Sequence, residues 1–206
     1  MAGRPLPKLV AITDLAQVSA ELLVRRASAL SSRAAPGTLA VLLRDHQASA
    51  RVRLALGREL RELTRAAGQA LWVADRIDLA LALRADGLHL GEASVSVRDA
   101  RALMPARMLV SRAWHEPKRW ADPELEGSDV LLLSPVLAAR KGRPALGLEA
   151  LGAFCREAQI GVLALGGVTA TSAAACLAVG ARGVAAIGAA WSDEGEGLLS
   201  AVGAAR

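Results

Sequence analysis

The segment LALGGVTATSAA (163–174) ends an apolar run in Gly166-Gly167 and begins a helical pattern within a few residues. Glycines let backbone N–H groups approach a ligand closely, and a helix N-terminus adds positive potential, so this arrangement suits a phosphate. GVAAIGAAW (183–191) repeats the ending, with Ile187 and Gly188 at its tip. Tight bends alone could demand these glycines, but two such endings in succession favour phosphate binding. The loop SPVLAARKGRPALG (134–147) carries Arg140, Lys141 and Arg143. It is predicted to be a flexible basic segment able to fold over an anionic substrate as a lid. His115, just past an apolar run, is a candidate proton carrier because imidazole titrates near neutrality. A lone histidine more often has a structural role, and that reading fits His89, inside another run; His46 is a rim candidate. Asp75 closes the run ALWVAD as a single carboxylate, whereas a metal ion wants several ligands.

Positioning these groups is the task of eight short apolar runs: 9–14, 39–45, 70–75, 87–91, 108–114, 129–136, 161–167 and 183–189. They are almost continuously hydrophobic rather than alternating, as expected of parallel strands covered on both faces. Between them lie helical patterns. In SARVRLALGRELRELTRAAG (49–68) leucines and arginines fall on opposite faces, with Gly68 as a stop. TATSAAACLAVG (169–180) opens on a Thr cap and closes on Gly180. Eight units in 206 residues average about 26 residues each, enough for an α/β fold with a single-domain (β/α)8 TIM barrel over residues 1–206. An open doubly wound sheet is the alternative, weakened by the lack of Gly-x-Gly-x-x-Gly after the first run. In such a barrel the strand C-termini form the active face. They would carry Asp14, Arg44, Asp45, His46, Asp75, Glu92, the 112–115 stretch, Ser134, Gly166, Gly167 and Gly188, with Lys141 in the loop beyond.

Composition bounds the partners. Hydrophobic residues make up 53% and aromatics 2%, so the core must be built from Ala, Leu and Val. The formal charge is +5, but no basic run exceeds two residues, Lys118-Arg119 among them. A nucleic-acid protein would show a denser stripe with stacking aromatics, so an anionic small molecule fits better. Cys155 and Cys176 match no metal spacing and read as buried thiols of a reducing compartment. No uninterrupted apolar stretch approaches the roughly 18 residues of a membrane span, and the N-terminus has no signal-peptide core. The expectation is a cytoplasmic protein with no membrane or nucleic-acid partner. The Leu/Ala-rich helices leave room for a homodimer.

In this order, AITD, LLRD, WVADRIDLALALRADGLHLGE, SDVLLLSPV, LALGGVT and GARGVAAIGAAW resemble the thiamine phosphate synthase and TenI superfamily over about residues 9–191. The resemblance implies a cytoplasmic (β/α)8 barrel. It further implies one of two activities: joining a hydroxymethylpyrimidine pyrophosphate to thiazole phosphate with magnesium, or aromatising a thiazole phosphate carboxylate without metal. Matched to the family's motifs, Ala74-Asp75 stands where the synthases have Asn-Asp, and Ser94 where they have a second aspartate. His46 stands for the basic residue after strand two, and LAARK replaces a threonine-bearing loop while keeping Lys141. His115 matches the proton-transferring residue of the tautomerases. The losses fall on the magnesium–pyrophosphate side, leaving Asp75 as the remnant of a metal site. The implied reading is therefore a metal-free tautomerase. In it His115 moves the proton, Arg44 or Lys141 pairs with the substrate carboxylate, and Gly166, Gly167, Ile187 and Gly188 hold the phosphate. The alternatives are a magnesium-using synthase and a silent barrel binding a thiazole or thiamine phosphate.

Overall fold

A computed structural model describes residues 5–117, 119, 122–204 and 206. The apolar runs become eight parallel strands: β1 (Leu9–Ile12), β2 (Leu39–Leu43), β3 (Ala70–Ala74), β4 (Gly87–Leu90), β5 (Leu109–Trp114), β6 (Val130–Leu133), β7 (Gly161–Leu165) and β8 (Gly183–Ala186). Each pairs with its successor, and β8 returns to β1 with Val184 opposite Leu9, so the sheet closes and the open-sheet alternative is excluded. The helices among the described residues are α1 (Ala20–Arg33), α2 (Ala50–Ala66), α3 (Ile77–Ala82), α4 (Val97–Leu103), α5 (Gly147–Glu157), α6 (Ala170–Ala178) and α7 (Gly195–Ala201). A 3₁₀ turn, Pro123–Leu125, serves between β5 and β6, and another, Gly188–Trp191, precedes α7. Lys118 of the basic pair lies outside the described residues.

Alternation along the strands divides the core in two. Val10, Ile12, Ala40, Leu42, Trp72, Ala74, Val130, Leu132, Leu163, Ala185 and Ile187 fill the barrel, while a larger cluster lies between strands and helices. The interior is mostly small and aliphatic, with one large filler. Trp72 is fully buried, and a Cβ placed on Gly87 would stand 2.7 Å from its indole. The glycine on β4 thus vacates the space that the indole on β3 occupies.

Most predicted runs overshoot the strands at their C-terminal ends, most of all 129–136 against Val130–Leu133 and 183–189 against Gly183–Ala186. The cause is packing at the barrel mouth, where Pro135 and Val136 stay buried after the ladder stops. The helix boundaries follow their caps. Ser49 accepts from Val52 N–H at 3.3 Å to start α2, and Thr169 and Ser172 form a capping box on α6. One expectation about α2 fails. Arg53, assigned to its polar face, is buried and donates to the Ala74 carbonyl at 2.8 Å. Cys176 is buried and Cys155 half-buried, both free, and burial pushes the Cys155 thiol up to about 11. No helix among the described residues is long and apolar enough to cross a membrane.

Candidate active site at the barrel mouth

Two adjoining cavities open at the C-terminal end of the strands. One, of about 170 Å³, is lined by Arg44, Glu92, His115, Ser134, Arg140, Lys141, Arg143 and Ile187, among others. The second, about 240 Å³, is walled by residues 165–169 and 185–189 together with Arg140. Arg140, Leu165, Gly166 and Ile187 border both. A larger hollow of about 590 Å³ lies at the opposite end of the barrel, between α2 and the loops entering β4 and β5. It contains none of the sequence-predicted site residues.

The second cavity is built from main chain. Gly166 (φ +101°) and Gly167 (φ +73°) turn the chain out of β7 in the left-handed region. Among the described residues, the N–H groups of Gly166, Gly167 and Gly188 make no hydrogen bond. Consecutive unpaired amides of this kind form an anion-binding concavity. The double glycine also has a packing reason. A Cβ on Gly167 would meet Ala138 at 2.6 Å, because the segment after β6 lies directly over it. Val136 N–H and Leu137 N–H donate to the Leu165 and Gly166 carbonyls at 2.9 and 2.8 Å, fixing that cover.

The first cavity is lined with cations. Arg44 projects inward from the end of β2 and pairs with Asp14 at 3.0 Å. The tip of the segment predicted as a lid forms a tight hairpin. Arg140 and Arg143 exchange two backbone hydrogen bonds of 3.0 Å around Lys141 (φ +50°) and Gly142 (φ +74°). Two central residues with positive φ are the mark of a two-residue turn. Arg143 reaches across the mouth to Glu92 at 2.6 Å. Among the described residues, the side chains of Arg140 and Lys141 have no carboxylate within ion-pair distance.

His115 stands on the wall of this cavity. Its Nδ1 lies 2.6 Å from the Ser134 carbonyl oxygen. A carbonyl can only accept, so Nδ1 carries the proton and the Nε2 lone pair is left for other partners. Glu92 Oε2 is 3.9 Å from Nε2. His89 lies deeper, buried, with Nδ1 2.8 Å from Ser111 Oγ, as the structural reading expected. Burial lowers its pKa to about 4, so it is neutral at pH 7.

Asp75 ends β3 in the left-handed region (φ +62°). Its Oδ1 accepts from Gly91 N–H at 2.9 Å and from the Ser94 hydroxyl. Its Oδ2 lies 3.5 Å from His46 Nδ1. Burial lowers the His46 pKa against the pull of Asp75, with Arg44, Arg53 and Lys141 adding to the lowering. Asp75 therefore anchors the loop after β4 rather than presenting a free carboxylate. Among the described residues no group of three or more His, Cys, Asp or Glu side chains could hold a metal ion. The residues present do not fit a magnesium site.

Sequence reasoning placed Arg44, His115, Lys141, Gly166, Gly167, Ile187 and Gly188 at this mouth, and the structure brings all seven around the two cavities. It left Arg140, Ser134 and Glu92 without roles. Arg140 was legible as a loop cation, but the hairpin that sets it between the cavities was not. Arg112, read as a rim group, instead faces away from the lumen and holds the loop after β4 through the Gly91 carbonyl at 2.8 Å.

A closed (β/α)8 barrel with unpaired main-chain amides beside a cation-lined cavity at its mouth defines a TIM-barrel protein with its candidate site at the strand C-termini. Residues 9–190 match the family model described as thiamine monophosphate synthase, TMP-TENI, and the chain belongs to that family. A thiamine-phosphate synthase of Moorella thermoacetica is 39% identical over 161 residues, covering 75% of each chain. One of Gloeobacter violaceus is 36% identical over 170 residues, 81% of this chain but 50% of its own length. This chain thus spans about half of that relative. The solved structure of a thiamine phosphate pyrophosphorylase from Pyrococcus furiosus superposes with a TM-score of 0.82 at 29% identity, covering 95% of both chains. These relatives carry synthase names, which favours the synthase alternative over the tautomerase reading.

Proposed function

We propose that the chain is a thiamine phosphate synthase, a transferase joining a pyrimidine diphosphate to a phosphorylated thiazole with release of pyrophosphate. The observation that carries this reading is the pair of adjoining anion sites. One offers unpaired amides from Gly166, Gly167 and Gly188, suited to the single phosphate of a thiazole. The other offers Arg44, Arg140, Lys141 and Arg143, suited to the more highly charged diphosphate. An isomerase acting on one phosphorylated ring would need at most one of these cations, for a carboxylate, beside the amide cradle. The synthase names of the relatives support the same choice. Incubating the purified chain with both substrates and following the product by mass spectrometry tests it. Thiamine phosphate is the expected product; folded protein that forms none refutes the proposal.

A thiazole tautomerase is the second reading, and His115 favours it. With Nδ1 tied to the Ser134 carbonyl, Nε2 is available on the cavity wall as a proton carrier. Isomerisation of a thiazole phosphate carboxylate without any pyrimidine substrate would establish that activity.

A further inference from the structure

Three features around the mouth belong together. First, Ser94 stands where the family resemblance implies a second metal-binding aspartate. Its hydroxyl donates to Asp75 Oδ1, which also accepts from Gly91 N–H. Magnesium demands near-octahedral oxygen ligation and leans on carboxylates, and this pair offers it little. Second, the segment over the mouth reads LAARK, without hydroxyls but with Arg140 beside Lys141, and Arg140 borders both cavities. Third, that segment is held in place. The Arg140–Arg143 backbone pair shapes the hairpin and the Arg143–Glu92 ion pair of 2.6 Å links it to the loop after β4, so the backbone carrying Arg140 and Lys141 stands at the mouth.

We propose that Arg140 and Lys141, with Arg44, bind and neutralise the pyrophosphate group in place of a divalent metal, so that this site works without magnesium. The proposal rests on the synthase reading. In that reaction the thiazole ring nitrogen donates its lone pair to the pyrimidine methylene carbon. The C–N bond forms as the C–O bond to pyrophosphate breaks, and the released electron pair leaves on the pyrophosphate oxygen. The step needs no oxidant. It needs positive charge where the leaving oxygen gathers negative charge. A guanidinium supplies this with a planar fork of donors that matches phosphate oxygens, and an ammonium supplies a point charge. Arg44 is already oriented by Asp14 at 3.0 Å, whereas Arg140 and Lys141 keep their charge for the ligand.

The test is calorimetric titration of the whole chain with pyrophosphate, in EDTA and in Mg²⁺. The expected Kd is similar in both. Arg140→Ala raises the EDTA value at least about tenfold, the usual scale of a charge-assisted hydrogen bond, and Arg140→Lys raises it less. Both variants keep the wild-type Tm, since Arg140 is exposed. Binding that requires Mg²⁺, or that ignores Arg140→Ala, overturns the proposal. Turnover of the two substrates separates the two claims. Product formed in EDTA supports both. Product that EDTA abolishes overturns the metal-free site and leaves the synthase standing. Metal-free pyrophosphate binding with no product in either buffer supports the cation site and refutes the synthase.

Discussion

At the scale of single residues, the mouth and the barrel interior use histidine in opposite ways. His115 keeps a free Nε2 on a cavity wall, while His89 is buried against Ser111. His115→Gln retains a hydrogen-bonding side chain and loses the proton. If the isomerisation is present, its rate falls at least about a hundredfold while phosphate binding by calorimetry is unchanged. Unaltered isomerisation would mean that His115 only orients. His89 governs stability instead. Its folded pKa of about 4 lies below the ordinary 6.5 because burial penalises the charged ring. The unfolded chain therefore binds the extra proton first. The stabilisation is complete above pH 6.5 and drains away as pH falls toward 4. The loss amounts to roughly 3 kcal/mol at most. Urea unfolding across that range should show it for the wild type and not for His89→Asn, and equal slopes for the two would refute it. The sequence made both histidines visible as types. Their roles depended on which nitrogen met which oxygen across strands, and one chain's spacing does not carry that.

At the scale of elements, the strands and capped helices were readable because each rests on a local rule. Apolar runs of strand length and the Thr169 cap before α6 appear close to where the pattern put them, and Ser49 caps α2 in the same way. The 140–143 hairpin was not readable. Its Lys141-Gly142 turn lies between arginines, so charge suggested a flexible basic segment where backbone pairing and the Glu92 contact shape a tight hairpin. Arg53 failed for a related reason: its charge is satisfied by a carbonyl on β3, a partner far away in sequence. The hairpin predicts its own weak point. A branched side chain at Gly142 (φ +74°) is strained, costing about 1–2 kcal/mol locally. Gly142→Val should loosen pyrophosphate binding by calorimetry and lower the thermal midpoint by no more than a few degrees, because only the backbone strain acts there and no described atom lies within 4 Å of a Cβ. A larger shift with intact binding would mean that the turn serves the fold instead of the ligand.

At the scale of the whole molecule, closure of the barrel depends on interior volume being shared between neighbouring strands. Trp72 and Gly87 divide one space, so they should couple. Gly87→Ala brings a methyl within 2.7 Å of the indole and costs roughly 1–3 kcal/mol by overpacking. Trp72→Leu leaves a void and costs a similar amount. Combined, they should cost less than their sum in denaturant unfolding, and strict additivity would show that the two do not compete for space. The same tryptophan makes the protein its own optical instrument. The chain has four tryptophans and no tyrosine, so its near-ultraviolet emission comes from indoles alone. Trp72 is sealed in an apolar interior with its N–H unpartnered among the described residues, a setting for short-wavelength fluorescence. Trp114, one residue before His115, ends β5 packed between strands and helices, with its N–H 2.8 Å from the Glu116 carbonyl oxygen. Spectra recorded for single-tryptophan replacements would follow barrel opening through one indole and events at the rim through the other, with no dye attached.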